Sequence, residues 1–103
     1  MKKIERDVIV IGSGPGGYAA AFYLADHGKS VTLIEKADIG GVCLNSGCIP
    51  SKALLNIAGM IDKSKKYSDY GVSFSDPIID IKKIKQHKDT VINKLRQVVS
   101  SLA

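Results

Sequence analysis

The chain has 103 residues, 45% of them hydrophobic and 24% charged, and its 15 basic and 10 acidic side chains leave a formal charge of +5. That length suits one small domain with a modest core, and the composition excludes disorder over the whole length. No apolar run reaches the roughly 18 residues that cross a bilayer, and the basic excess sits in Lys63-Ser64-Lys65-Lys66 and in Lys82 to Lys94, as solvated helix faces, with an electrostatic patch for a partner protein as the alternative, rather than as an aromatic-interleaved stripe for nucleic acid.

The N-terminus, Met1 to Asp7, is charged and leads into the short apolar stretch Val8 to Ile11. A secretory signal needs an apolar core of about 7–15 residues, so a cytoplasmic location is expected, with no membrane association. Asp7-Val8-Ile9-Val10-Ile11 is a continuous β-branched run and predicts a strand buried on both faces, as in a parallel sheet. Gly12 to Gly17 is a glycine-rich turn, and Tyr18 to His27 reads as a helix that Gly28 ends. Ser30 to Ile34 is a second strand, which completes a βαβ unit.

Gly12-Ser13-Gly14-Pro15-Gly16-Gly17 fits G-x-G-x-x-G. Gly12 permits the tight turn out of the strand, Gly14 allows close approach of a pyrophosphate, and Gly17 allows close helix–sheet packing. Pro15 suits an early helical position, which has no N–H to lose. The following helix offers free N–H groups to phosphates. Glu35, at the end of the second strand, is placed to accept hydrogen bonds from ribose hydroxyls. Together these features predict dinucleotide binding, without separating FAD from NAD.

A loop from Ala37 to Gly41 leads to the only two cysteines, Cys43 and Cys48, five positions apart. In a reducing compartment such a pair is catalytic or metal-binding rather than a structural staple. A structural zinc site commonly takes four ligands; no further cysteine exists, and His27 and His87 are remote in sequence, so no metal is expected. In regular helix, residues five apart are roughly 8–9 Å apart between Cα atoms, whereas a disulfide spans about 4.4–6.8 Å. If the two bond, the backbone between them is not regular helix, and Asn45-Ser46-Gly47 supplies residues suited to a break. A helix is expected from Pro50 to about Lys66, turns at Asp69-Tyr70-Gly71 and Ser75-Asp76-Pro77, and a final amphipathic helix marked by Ile81, Ile84, Val91, Ile92, Leu95, Val98, Val99 and Leu102.

The segment Gly40-Gly41-Val42-Cys43-Leu44-Asn45-Ser46-Gly47-Cys48-Ile49-Pro50-Ser51-Lys52 resembles the redox-active segment of the class I pyridine nucleotide–disulfide oxidoreductases. The likeness is dense from Asp7 to Leu55, and its details are nearest to the members that oxidise dihydrolipoamide; glutathione and mercuric reductases are the alternatives within the family. The resemblance implies an α/β fold: the N-terminal part of a Rossmann-like FAD-binding domain, with parallel strands, a redox-active distorted helix and a long amphipathic C-terminal helix. Residues 1–103 would then be the N-terminal part of that domain, with its remainder, an NAD domain and an interface domain absent. FAD is implied as cofactor, its pyrophosphate at Gly12–Gly17, its ribose at Glu35 beside Lys36, and its isoalloxazine near Gly41, Val42, Gly47 and the cysteines. Cys48 corresponds to the flavin-facing thiolate, Cys43 to the interchange thiol, and Lys52 to a lysine that stabilises charge on the reduced ring. Val42 and Ser46 stand where threonine and valine are common. NAD is the implied acceptor, the lipoyl group of a 2-oxo acid dehydrogenase complex or of a glycine cleavage protein the implied partner, and a homodimer the implied full-length form. His27 and His87 read as structural, so the acid–base pair of the interface domain has no substitute here and the 103 residues alone are expected to lack turnover. Two other classes remain open: a non-catalytic nucleotide-binding module, and a small redox carrier that works without flavin.

Overall fold

A computed structural model describes residues 1–103. The chain forms strand β1 (Val8–Ile11), helix α1 (Pro15–Asp26), strand β2 (Val31–Ile34), short helix α2 (Gly41–Ser46), helix α3 (Cys48–Lys66), a 3-10 turn (Tyr67–Tyr70) and helix α4 (Ile81–Leu102). The two strands pair in parallel, Val8 opposite Val31 through Ile11 opposite Ile34. An Asp7–Ser30 lock starts the pairing. The Asp7 carboxylate accepts from the Ser30 N–H at 2.9 Å and from its hydroxyl at 3.0 Å, while the Asp7 N–H donates back to the Ser30 hydroxyl.

Helix α1 begins at Pro15, three residues earlier than Tyr18, because proline's fixed φ serves the first helical position and its missing N–H costs nothing there. The glycine turn is therefore only Gly12 to Gly14, with Gly16 and Gly17 inside the first helical turn. Gly17 is the point of contact between helix and strand: a Cβ there would collide with the Gly12 carbonyl oxygen. Gly28, with φ of 79°, closes the helix, its N–H bonded to the Ala25 carbonyl.

Burial of β1 on both faces does not occur in this chain. Val8 and Val10 are half-buried, but Ile9 and Ile11 are 59% and 82% exposed. The physical reason is topological: α1 covers one face of a sheet of two strands, and no element of the chain lies on the other.

The break between the cysteines is narrower than Asn45-Ser46-Gly47. Asn45 and Ser46 belong to α2, and Gly47 alone is non-helical, with φ −121° and ψ −109°. Helix α3 starts at Cys48 rather than at Pro50, so Pro50 lies in the first turn, where no hydrogen bond is lost. Helix α4 is capped by Asp80, whose carboxylate accepts from the Lys83 N–H at 3.2 Å. The core is small and lies over the cysteine segment. Leu44 of α2 packs with Ile92 and Val99 of α4, flanked by Tyr18, Phe22, Ile39, Ile49 and Leu95. No helix is long and apolar enough to cross a membrane.

Candidate functional site

The strand-to-helix turn is held by Ser13, which is fully buried. Its N–H donates to Glu35 Oε2 at 3.0 Å and its hydroxyl donates to the same oxygen. Its carbonyl and hydroxyl oxygens both accept from the Gly40 N–H, at 2.9 and 3.2 Å. One serine thus joins the end of β1, the end of β2 and the loop before α2. Glu35 Oε1 accepts a further bond from the Ala37 N–H at 3.1 Å. These donors, the Ser13 hydroxyl foremost, hold the Glu35 carboxyl down at about 2. Glu35 is therefore an anion committed to the turn. Three bonds leave part of its acceptor capacity for an external hydroxyl, since a carboxylate offers about four lone-pair sites.

Next to this knot the backbone is open. The N–H groups of Gly14, Gly16 and Gly17 have no partner within the chain. The surroundings of Gly14 and Gly16 differ from those of Gly17. A Cβ on Gly16 would meet nothing within 4 Å, and one on Gly14 only the Gly41 Cα at 4.0 Å. Nothing inside the protein requires glycine at 14 or 16. Gly41 is constrained internally, because a Cβ there would come within 2.6 Å of the Gly14 Cα. Glu35, Lys36, Gly41 and Val42 line one open groove of about 250 Å³ together with Ala37, Asp38, Asn45 and Ser46.

The cysteines stand on either side of Gly47. Cys43 is half-buried in α2 and Cys48 is exposed at the start of α3, and both are free thiols. A Cβ on Gly47 would lie 3.0 Å from the Val42 carbonyl oxygen and 3.2 Å from the Cys43 Cα, so glycine lets α3 start directly against α2. The neighbouring Cys48 side chain pushes the Cys43 thiol up, with burial adding to the rise, while the positive charge of Lys52 opposes it. Lys52 itself is exposed. Cys43 and Pro15 border the same small apolar cavity of about 130 Å³, which brings Cys43 beside the first residue of α1.

The chain matches the pyridine nucleotide-disulphide oxidoreductase family over residues 6–102. It belongs to that family. Its α/β architecture is accordingly a Rossmann-like, FAD-binding type of fold. Relatives of the family include a protein named dihydrolipoyl dehydrogenase from Buchnera aphidicola subsp. Acyrthosiphon pisum, 57% identical over 102 residues, which are 98% of this chain and 22% of the relative. Proteins of the same name from Vibrio parahaemolyticus and Bacillus subtilis are each 48% identical, over 99% and 96% of this chain and 22% and 21% of their own lengths. The chain thus spans about a fifth of the length of these oxidoreductases.

One residue of the site carries no signal in the sequence. Arg96 of α4 donates to Asn45 Oδ1 from Nε at 2.9 Å and from Nη2 at 2.6 Å. Asn45 in turn donates from Nδ2 to the carbonyls of Ile39 and Gly41, at 3.1 and 2.9 Å. The helical periodicity of α4 marks only its apolar positions; a polar tie across 51 residues leaves no local signal.

Proposed function

We propose that the chain is the N-terminal part of the FAD domain of a dihydrolipoyl dehydrogenase, which oxidises dihydrolipoamide through Cys43 and Cys48 and passes the electrons by way of FAD to NAD. The observation that carries this reading is the junction at Gly47, where two free thiols meet across a single non-helical residue beside the glycine turn. FAD fits the residues present. The unpartnered N–H groups of Gly14, Gly16 and Gly17, with no Cβ over Gly14 or Gly16, form a cradle for a pyrophosphate. The groove bordered by Glu35, Lys36, Gly41 and Val42 offers a carboxylate to ribose hydroxyls. FAD held there would supply a two-electron store between the cysteine dithiol and NAD. Lys52 would hold positive charge beside the thiols and the cofactor's electron-rich ring.

The cysteines perform thiol–disulfide exchange. In the oxidised chain, a thiolate of the substrate dithiol attacks the Cys43 sulfur; the Cys43–Cys48 bond breaks and Cys48 leaves as thiolate. The second substrate thiol then attacks the substrate sulfur of the mixed disulfide and expels Cys43. The substrate has become a cyclic disulfide, the cysteine pair holds two more electrons, and the substrate's two protons pass to the released sulfurs or to solvent. Gly47 serves this cycle by letting the sulfur-bearing helices meet without a Cβ between them.

The natural partner in this reading is the lipoyl group of a 2-oxo acid dehydrogenase complex or a glycine cleavage protein. The complete protein is a cytoplasmic homodimer whose remaining FAD, NAD and interface domains lie outside these residues. In the complete protein, Cys43→Ser and Cys48→Ser should each abolish dihydrolipoamide-dependent NADH formation, by at least about 10³-fold as expected for loss of a covalent catalytic group, while bound flavin absorbance is retained. Turnover that survives either substitution would remove the cysteine pair from the mechanism and favour a non-catalytic nucleotide-binding module. A disulfide that cycles with no flavin bound would favour a simple redox carrier.

A further inference from the structure

Helix α2 carries Cys43 and has only six residues. A helix that short has no stability of its own in water, and no side chain caps its N-terminus. Gly40 and Gly41, which lead into it, both have positive φ and bring no side chain to stiffen the approach. Its position is set by tertiary ties. One is apolar, through Leu44 in the core. Two are polar: the Gly40 N–H is held by Ser13 at the start of the helix, and the second tie runs through Asn45, two residues from Cys43 and three from Cys48. Both oxygen and nitrogen of the Asn45 amide are in use, the nitrogen on the Ile39 and Gly41 carbonyls that form the approach to α2, the oxygen on Nε and Nη2 of Arg96. Nη2 also lies 3.6 Å from the Asp38 carboxylate, at the other end of the same loop. The guanidinium therefore ties α4 to both flanks of the segment that presents Cys43.

From this geometry we infer that Arg96 is a positioning residue for the cysteine pair, acting through Asn45 to hold α2 against the Gly47 junction so that Cys43 stays within bonding reach of Cys48. The inference rests on the redox reading of the pair. Its consequence is a stronger disulfide: tethering α2 raises the effective concentration of one sulfur at the other. Lysine does not replace arginine in this role, because an ammonium cannot set two rigidly spaced donors on one amide oxygen.

The test is the thiol–disulfide equilibrium of the complete protein in glutathione buffers, with Cys43 and Cys48 trapped by alkylation and counted by mass spectrometry. Arg96→Ala should move that equilibrium toward the dithiol by about tenfold, as the loss of charge-assisted hydrogen bonds implies, which corresponds to about 30 mV. Arg96→Lys should keep most of that shift. Asn45→Ala should produce a similar shift, and the double variant no more than Asn45→Ala alone. Asp80→Ala, which removes the remote α4 cap, should lower thermal stability and leave the equilibrium unmoved. An unchanged equilibrium in Arg96→Ala, additive effects in the double variant, or an equal shift in Asp80→Ala overturns the inference while leaving the redox reading intact. Failure of the unsubstituted protein to form the Cys43–Cys48 disulfide overturns both.

Discussion

Ser13 occupies a variable position of the glycine pattern, and the sequence offers no reason to weigh it above any other small residue there. In the fold its hydroxyl and N–H are both spent on Glu35, and its oxygens meet the Gly40 N–H. Glu35 was legible as an acid after the second strand; its bond to the turn was not, because that bond exists only once the two strands lie side by side. The pair has a pH signature. Folding lowers the Glu35 carboxyl from an ordinary 4.5 to about 2. Its stabilising contribution is therefore complete above pH 4.5 and is lost as the pH falls toward 2. Asp7 is lowered in the same sense by the Ser30 N–H and hydroxyl and adds to the acid loss. Ser13→Ala removes the principal donor, so the Glu35 pKa should climb toward its ordinary value and the acid-dependent loss of stability in that window should shrink. Carboxyl-carbon NMR titration reads the first effect and acid unfolding the second. A Glu35 pKa that stays near 2 in the variant would show that the backbone donors suffice.

At the scale of elements, the βαβ unit was readable because its signals are local: β-branched runs for the strands, proline and glycine at the helix ends. The break between the cysteines was readable in kind but not in extent. Asn45 has a side chain that disfavours helix interiors, yet it stays helical because its amide finds the Ile39 and Gly41 carbonyls and Arg96. Gly47 alone yields, where a Cβ would crowd the preceding helix. The same steric logic separates two adjacent glycines of α1. Gly17→Ala must push α1 away from the Gly12 carbonyl and should cost about 1–3 kcal/mol, as overpacking does. Gly16→Ala meets open space and should stabilise the helix by up to about 1 kcal/mol through alanine's better propensity. Denaturant unfolding of the two variants distinguishes them. Equal destabilisation would mean that the helix–strand approach is looser than Gly17 indicates. A fall in flavin affinity in Gly16→Ala without loss of stability would place the ligand at the open N–H groups.

Taken as a whole, the chain contains the parts of a site without a full domain core. Seven of its 103 residues are buried, and its radius of gyration is 20.1 Å, against the roughly 13 Å of a compact domain of this length. Ile9, Ile11 and Ile34 leave an apolar sheet face bare, and the chain's extents of 69 × 27 × 17 Å reflect long helices that share little interior. The sequence reads as an ordinary globular chain because its apolar content is ordinary; composition records how much apolar surface exists, not whether the same chain covers it. The two-faced strand pattern of β1 was the one local sign that further layers are wanted. Expressed alone, the 103 residues should therefore show helical circular dichroism with a broad thermal transition, bind a hydrophobic dye strongly, and give no sustained NADH formation from dihydrolipoamide. Joined to the rest of the proposed domain, the same residues should unfold cooperatively and lose the dye signal, as the bare face of β1 and β2 becomes an interior surface. A sharp, two-state transition for the isolated chain, with weak dye binding, would mean that these helices and strands close a core by themselves and that the exposed isoleucines belong to a true surface.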